Sequence, residues 1–247
     1  MSKQNEMFVT DCFAGSKEYK VDDIKAAFHE KEGKGLPSNA AIKSLHITGA
    51  LCNVADFDYS TTKLPVSAIK MHGDPTDQAI LRFSEFLDSV LDLRKEWKKD
   101  FEIAFNSRNK FMIRIMSSGI GADCQTYVKS SFHLERILLT GLSSTLMIKG
   151  APDILIRRCS HVLRRDNTVG PMSDADRSQI ETIKDKWSTE GKRVILIAQK
   201  VISPQTLTTL KSTNADKAVM SLAKTELTFV GLWGLIDPLV RYNFDVV

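Results

Sequence analysis

The sequence has little cysteine, and its four cysteines lie far apart. None of Cys12, Cys52, Cys124 and Cys159 belongs to a C-x-x-C pair or has a histidine at the spacing of zinc ligands. This pattern predicts neither a metal site nor a disulfide framework. It favours a protein of the reducing cytosol, where thiols persist.

Long hydrophobic runs are also missing. The longest apolar segment, residues 227–236, is well short of the ~20 residues that a transmembrane helix needs, and the polar N-terminus lacks the apolar centre of a signal peptide. We therefore expect neither membrane insertion nor export. With 247 residues, 43% of them hydrophobic, the chain is long enough to bury a large core.

A strong excess of one charge is absent too. The net charge of +4 is far from the concentrated basic surface of nucleic-acid-binding proteins, so we predict no nucleic-acid partner. A small anionic ligand is compatible with such a mild excess.

Catalytic signatures are absent as well. The sequence contains no G-x-x-x-x-G-K-[ST] loop, no H-E-x-x-H pair, no G-x-S-x-G elbow and no kinase motif set. A G-x-G start at Gly119 and Gly121 has Cys124 where a dinucleotide-binding loop needs its third glycine. The histidines are dispersed and have no catalytic partners nearby in sequence. These absences predict a chain with no catalytic residues and no metal ligands of its own.

Hydrophobic periodicity predicts a mixture of strands and helices. The predicted strands are residues 6–14, 101–105, 111–116, 145–149, 194–201 and 227–236, with a hairpin turn at 106–109. The predicted helices are residues 40–57, 75–99 with Asp74 as the cap, and 173–190. Residues 117–144 form an excursion with no assigned structure. We expect an α/β (α+β) fold, with a largely antiparallel sheet flanked by helices, and one domain over residues 1–247.

The corner at Lys149 and Gly150 allows two interpretations. In the first, Gly150 supplies an unusual backbone angle, Pro152 occupies the first position of a helix and Asp153 complements the helix dipole. In the second, the lysine, a backbone without a side chain and the free N–H groups of a helix start bind a phosphate or nucleotide. The local sequence alone favours the first. The pair Arg157-Arg158 further on is interpreted as solvated helix surface.

A series of blocks along the chain points to a known family. In order, the blocks are GDPTDQAI at 73–80, FNSRNK at 105–110, KGAPD at 149–153 with Cys159-Ser160, GKRV at 191–194, and Gly231-Leu232 with Asp237-Pro238. Together they resemble the nucleotide-binding (N) domain of P-type cation-transporting ATPases. The flanks at 49–53 and 101–107 are most similar to the α-subunits of sodium/potassium and proton/potassium pumps and their fungal relatives. The resemblance implies that family's fold and the binding of ATP.

The resemblance implies an adenine-binding end of the site. Phe105 corresponds to the aromatic residue that stacks on adenine, a contact that contributes ~1–3 kcal/mol. Asp77 stands where the family usually has a glutamate that accepts a bond from the adenine amino group. Its side chain is one methylene shorter, which implies weaker adenine selectivity or a bridging water. Met112 stands where relatives have glutamine or methionine, and a flexible thioether suits an adenine slot.

The resemblance also implies a phosphate-binding end. Lys110 is expected to reach toward the phosphates, Lys149 to lie at the pocket floor beside Gly150, and Arg193 to hold the polyphosphate and ribose side. From the residues alone, other interpretations stay open. These are a core phenylalanine at position 105, solvated lysines and a helix-terminal arginine.

The resemblance assigns chemistry to segments that we expect to lie outside this chain. These are the phosphorylated aspartate, the metal-binding acidic motif and the transmembrane ion sites. Residues 1–7 and 237–247 are then hinge-proximal ends toward a phosphorylation domain, with Asp237 and Pro238 as the hinge. Val240 stands where the family's hinge commonly has arginine, and Arg241 follows it directly.

We therefore expect a monomeric module at the cytosolic face of a membrane that binds ATP but does not cleave it. Mg²⁺ would be used only together with the phosphorylation domain. A different hypothesis is a degenerate scaffold that has lost the ligand and acts through protein contacts. An autonomous ATPase is the third and least favoured hypothesis.

Overall fold

The computed structural model describes residues 6–24, 40–118, 144–212 and 215–237. The strands are β1 (Phe8–Ala14), β2 (Lys17–Lys20), β3 (Asp56–Phe57), β4 (Met71–His72), β5 (Trp97–Ile103), β6 (Phe111–Ser118), β7 (Ser144–Gly150), β8 (Cys159–Leu163), β9 (Val169–Pro171), β10 (Arg193–Ile202) and β11 (Leu227–Ile236). The helices are α1 (Ala40–Leu51), α2 (Pro75–Leu87), α3 (Val90–Glu96), α4 (Pro152–Leu155), α5 (Asp174–Thr189), α6 (Pro204–Ser212) and α7 (Ala215–Leu222). Residues 21–24 are helical too.

Within these ranges, nine strands form one sheet. Its order is β2-β1-β11-β10-β7-β6-β5, with β8 beside β11 and β9 beside β8. The strand pairs are antiparallel, except that β8 runs parallel to β11. The predicted antiparallel sheet with flanking helices is therefore confirmed.

Helices cover both faces of the sheet. Along β10, Leu196 and Ala198 pack into a core that includes Trp187 of α5, while Ile197 between them packs into a core with α1 and α2. Because successive side chains of a strand point to opposite faces, a strand covered on both sides is apolar at nearly every position. This explains the continuous apolar runs of β7, β10 and β11.

Two of the predicted helix starts are confirmed by their caps. The Asp74 side chain accepts a 2.9 Å hydrogen bond from the backbone N–H of Thr76, and Pro75 occupies the first turn of α2. Ser173 and Asp176 form a capping box at the start of α5. These short polar side chains satisfy backbone N–H groups that have no partner within the helix.

Two predicted helices were too long. The helix expected at 40–57 ends at Leu51, and the one expected at 75–99 stops at Leu87. Ser89 caps a second helix, α3, whose last residue is followed directly by β5. Both errors arise because apolar periodicity continues through residues whose backbone is fixed by capping and by distant partners. Most of the 117–144 excursion, residues 119–143, lies outside the described ranges.

None of the helices in the described ranges is both long enough and apolar enough to span a bilayer.

The first strand and the last strand of the described residues are neighbours in the sheet. The start of β1 lies beside the end of β11, since Phe8 is the register partner of Ile236.

The capping box of α5 generates a pH-dependent prediction. Arg164 donates to both oxygens of Asp176, at 2.5 and 2.9 Å. These bonds hold the pKa of Asp176 well below its ordinary value of 3.8. A carboxylate whose pKa is lower in the folded state than in the unfolded state stabilises the fold. This stabilisation is complete when the pH is above the unfolded-state pKa, and it is lost as the pH falls through the folded-state pKa. We expect Asp176→Asn to lower the free energy of unfolding by about 1–2 kcal/mol at neutral pH.

Urea denaturation of the wild type and the variant measures this difference. It should shrink as the pH falls below about 3.8. Glu181→Gln, on the exposed side of the same helix, is the control and should change little. An Asp176→Asn effect that stays constant down to acid pH would contradict the assignment.

Candidate functional site

A large cavity opens at one end of the sheet. Its volume is about 840 Å³, which is within the usual range for small-molecule sites. It lies where β6 begins, β7 ends and β10 begins, and segments from α2, α4 and α5 complete its wall. The seven residues predicted for the site all line it: Asp77, Phe105, Lys110, Met112, Lys149, Gly150 and Arg193.

The register of β6 and β7 determines which side chains form the floor of the cavity. Met112 of β6 is the direct partner of Lys149 of β7, so both side chains point to the same face. That face is the one covered by α2, because Met112 packs with Leu81 in the same apolar cluster. Lys149 therefore points away from solvent toward the first turns of α2.

A buried ion pair joins this floor to α2. The ammonium of Lys149 donates to Oδ1 of Asp77, and the two side chains are 7% and 10% exposed. The second oxygen, Oδ2, accepts a 3.0 Å hydrogen bond from the backbone N–H of Val54. A buried carboxylate is stable only when it is paired and hydrogen-bonded, and here both conditions are met. Asp77 is thus held in one orientation at the cavity floor.

The loop that supplies Val54 is itself tightly held. Asn53 donates to the backbone carbonyls of Gly49 and Asp77 at 3.0 and 2.9 Å. Arg114 donates to the carbonyls of Leu51 and Asn53, and Arg94 to those of Ala50 and Ala55. Side chains from β6 and α3 thereby satisfy the last carbonyls of α1, which explains why that helix ends at Leu51.

Gly150 is required by a close backbone approach. A Cβ atom at this position would lie 2.4 Å from the carbonyl oxygen of Lys110 and 2.5 Å from Cβ of Phe111. The predicted unusual backbone angle is wrong, since Gly150 is not among the residues with positive φ, whereas Lys110 has a φ of 59°. Lys110 turns the chain into β6, and its carbonyl accepts a 2.9 Å bond from the N–H of Ala151. The start of β6 and the end of β7 thus meet at the cavity.

Phe105 stands on the loop between β5 and β6. We expected it to end a strand, but β5 stops at Ile103, two residues earlier. The ring is 63% exposed, which is unusual for phenylalanine. A core role for this residue is therefore excluded, and an apolar aromatic surface is available at the cavity.

Cations surround the outer part of the cavity. Arg193 donates a 2.7 Å hydrogen bond to Oγ1 of Thr76, which ties the start of β10 to α2. Lys184 of α5 forms an ion pair with Asp153 at 3.0 Å, and the hydrogen bonds that its ammonium donates to Asp185 and Asp153 raise its pKa above the ordinary 10.5. Lys184 is therefore charged at neutral pH. In the described part of the chain, Lys110 and Arg193 form no ion pair, so their charges face the cavity uncompensated.

The sequence analysis did not predict three residues that line the cavity and either carry a charge or close its wall. These are Val54, Asp153 in its ion-pairing role, and Lys184. No local sequence pattern identifies Lys184 as a site residue. It lies on a helix with a largely exposed polar pattern, and such a pattern does not show which turn of the helix will lie beside the cavity. Asp237 is described but does not line the cavity, and Pro238 and Val240 lie outside the described residues.

The interpretation of Arg157-Arg158 is half wrong. Arg157 is exposed, but Arg158 lies 4.6 Å from the centre of the Phe111 ring and donates to the carbonyl of Ala223 at 3.1 Å. It stabilises the packing beneath Gly150 by a cation–π contact.

The arrangement suits the binding of an anionic ligand that carries a flat ring. An exposed aromatic ring, apolar walls at Ile80 and Met112, and uncompensated cations fit a ligand with a flat ring and an anionic tail. Neither histidine nor cysteine lines the cavity, and the nearby thiol of Cys52 has its pKa raised by burial to about 11. In the ranges that the structure covers, no group of acidic, histidine or cysteine side chains is placed to hold a metal ion.

The chain is similar to known proteins along most of its length. Residues 41–241 match the family described as "P-type ATPase, cytoplasmic domain N". The potassium-transporting ATPase alpha chain 2 of Cavia porcellus is 26% identical over 236 residues, which are 95% of this chain and 20% of that protein. The sodium/potassium-transporting ATPase subunit alpha-A of Artemia franciscana is 28% identical over 206 residues, 83% of this chain and 18% of that protein. The chain spans about a fifth of the length of these curated relatives.

The buried ion pair generates a stability prediction. Lys149→Met leaves the Asp77 carboxylate without its cation. We expect the free energy of unfolding to fall by about 3 kcal/mol. This is the lower end of the range for a broken buried ion pair, because water in the cavity can reach the carboxylate. The double variant Asp77→Asn with Lys149→Met removes both charges and should recover most of the loss. Chemical denaturation of the wild type, the single variant and the double variant measures these differences in the free energy of unfolding.

Lys110→Met is the matched control, because Lys110 also lines the cavity but is exposed and, in the described residues, has no ion pair. We expect it to change the free energy of unfolding by less than about 0.5 kcal/mol. Equal effects of Lys149→Met and Lys110→Met would show that the pair does not stabilise the floor.

Proposed function

Because this chain belongs to the family of cytoplasmic N domains of P-type ATPases, we propose that its cavity binds ATP. The observation that carries the proposal is the convergence of Phe105, Lys110, Lys149 and Arg193, from distant parts of the chain, around one cavity. An exposed aromatic ring supplies a stacking surface for the base, and the cations supply charge for the phosphates.

The proposed contacts are consistent with weak binding. Stacking on Phe105 and two or three charge-assisted bonds are opposed by the loss of ~4 kcal/mol or more of translational and rotational freedom. We expect a dissociation constant in the high-micromolar to millimolar range. Such an affinity suits a module that receives and releases nucleotide in every cycle.

The domain would act as one part of a cation pump. The relatives are named as potassium-transporting and sodium/potassium-transporting ATPases, and this chain aligns with about a fifth of each. We propose that a phosphorylation domain accepts the terminal phosphate with Mg²⁺ and that transmembrane segments carry the cation. Phe8 and Ile236 are register partners, so the hinge-proximal ends would leave the sheet side by side toward that domain. The domain itself would be monomeric.

The stacking role of Phe105 is tested by titration with ATP. We expect saturable shifts of the amide signals near Phe105 and Lys149 in the wild type. Phe105→Ala should weaken ATP binding by at least about fivefold, because the base loses its stacking surface. Its melting temperature should change little, since the ring is 63% exposed.

Tyr59→Ala is the matched control, because Tyr59 is an aromatic residue of similar exposure, 67%, that does not line the cavity. It should leave ATP binding unchanged. If the wild type gives no saturable shifts below about 10 mM ATP, the chain is a scaffold that acts through protein contacts. If Phe105→Ala binds like the wild type, the base lies elsewhere.

A further inference from the structure

We propose that the base-binding end of the cavity accepts purine nucleoside triphosphates in general and does not select adenine. The inference rests on the proposed function, because it concerns which base the same site takes. It follows from the polar groups at the cavity floor, which are one donor and one acceptor held side by side.

The floor presents both kinds of hydrogen-bonding group. Lys149 has three N–H donors, of which one is used by Asp77. Asp77 is an acceptor whose two oxygens each have one described partner, Lys149 and the N–H of Val54. Each carboxylate oxygen has a further acceptor direction. A ligand at the floor therefore meets an ammonium and a carboxylate within one hydrogen-bond length of each other.

The pair is fixed in place before any ligand arrives. Lys149 and Asp77 are almost completely buried. From the other side, the Val54 N–H donates to the Asp77 carboxylate and the Asn53 side-chain amide donates to the Asp77 backbone carbonyl. The walls nearby are apolar, with Ile80 and Met112 fully buried. No other charged side chain among the described residues shares this ion pair, since Lys110, Lys184 and Arg193 have different partners or none. The carboxylate cannot be presented to a base without the ammonium beside it.

A donor next to an acceptor is compatible with the edge of either purine. Adenine offers its amino group as a donor beside the N1 acceptor, and guanine and hypoxanthine offer the O6 acceptor beside the N1–H donor. The two edges carry the donor and the acceptor in opposite order, so guanine and hypoxanthine would bind the same pair with the ring turned over relative to adenine. Asp77 would then accept from the adenine amino group or from N1–H, and Lys149 would donate to N1 or to O6. A lone acceptor would reject the carbonyl at position 6, but the adjacent ammonium removes that penalty. The floor is thus satisfied by both arrangements.

Selection would then depend on ring size. Stacking on the exposed Phe105 ring tolerates any base, but its strength grows with the area of the base that is covered. A pyrimidine has a smaller ring and reaches less far from the ribose toward the floor. We therefore expect a preference for purines over pyrimidines and only a slight preference among purines.

Calorimetric titration of the full chain with ATP, GTP, ITP, CTP and UTP tests the inference, with inorganic tripolyphosphate as the probe for phosphate binding alone. We expect the dissociation constants of the three purine nucleotides to agree within about threefold, and those of CTP and UTP to be at least about fivefold higher. A dissociation constant for GTP or ITP more than about tenfold above that of ATP would overturn the inference while leaving ATP binding intact. If neither ATP nor GTP binds more tightly than tripolyphosphate, the proposed base site itself fails.

A single variant gives a second, independent result. Asp77→Asn keeps the size of the side chain and offers a donor as well as an acceptor. We expect it to change the affinities for ATP and GTP by the same factor, within about twofold. A loss confined to ATP would show that Asp77 reads the adenine amino group specifically. Thermal unfolding of the variant establishes that it is folded under the titration conditions.

Discussion

The buried ion pair between Lys149 and Asp77 is the interaction on which the rest of the site depends. It joins the interior strand β7 to the first turn of α2, and therefore fixes the distance between the sheet and the helix that closes the cavity. The Asp77 carboxylate also orders the Val54 loop, which in turn is held by Asn53 and the arginines that cap α1. Few groups at the floor can move independently. A cavity built in this way exists before its ligand binds, which reduces the entropy lost on binding.

The cations of the cavity fall into two groups. Lys149 and Lys184 are neutralised by Asp77 and Asp153, whereas Lys110 and Arg193 have no ionic partner in the described ranges. The compensated pairs shape the walls, and the uncompensated cations attract an anion. Since exposed ionic contacts contribute little and are screened by salt, such a site binds an anionic ligand reversibly and weakly. This division is consistent with the proposed role, in which the domain holds a nucleotide while the chemistry occurs on another domain.

Local signals in the sequence predicted the parts of the fold that depend on local interactions. Asp74 and Ser173 mark helix starts, and the apolar runs mark strands that are covered on both faces. The end of α1 could not be predicted, because Arg94 and Arg114 satisfy the last carbonyls of that helix from positions more than 40 residues away in sequence. Likewise, Gly150 is explained by the approach of Lys110 from a neighbouring strand. Its role could be named only once the register of β6 and β7 was known.

The same limit applies to the site. The order of the blocks was enough to predict seven residues that the fold brings to one cavity, although their contacts with a nucleotide remain a proposal. Lys184 and Val54 reach the cavity through helix docking and a loop, which no motif encodes. The pairing of Asp77 with Lys149 was also unforeseen, because these residues, 72 positions apart in sequence, become neighbours only where α2 packs on the sheet.

The most direct test of the central claim is a measurement of contacts between bound ATP and the protein by nuclear Overhauser effects. Our account predicts cross-peaks from the base protons of ATP to the ring of Phe105 and the methyl group of Met112. Saturable ATP binding without cross-peaks to either residue would contradict it, because the base would then lie outside the cavity formed above the Lys149–Asp77 pair.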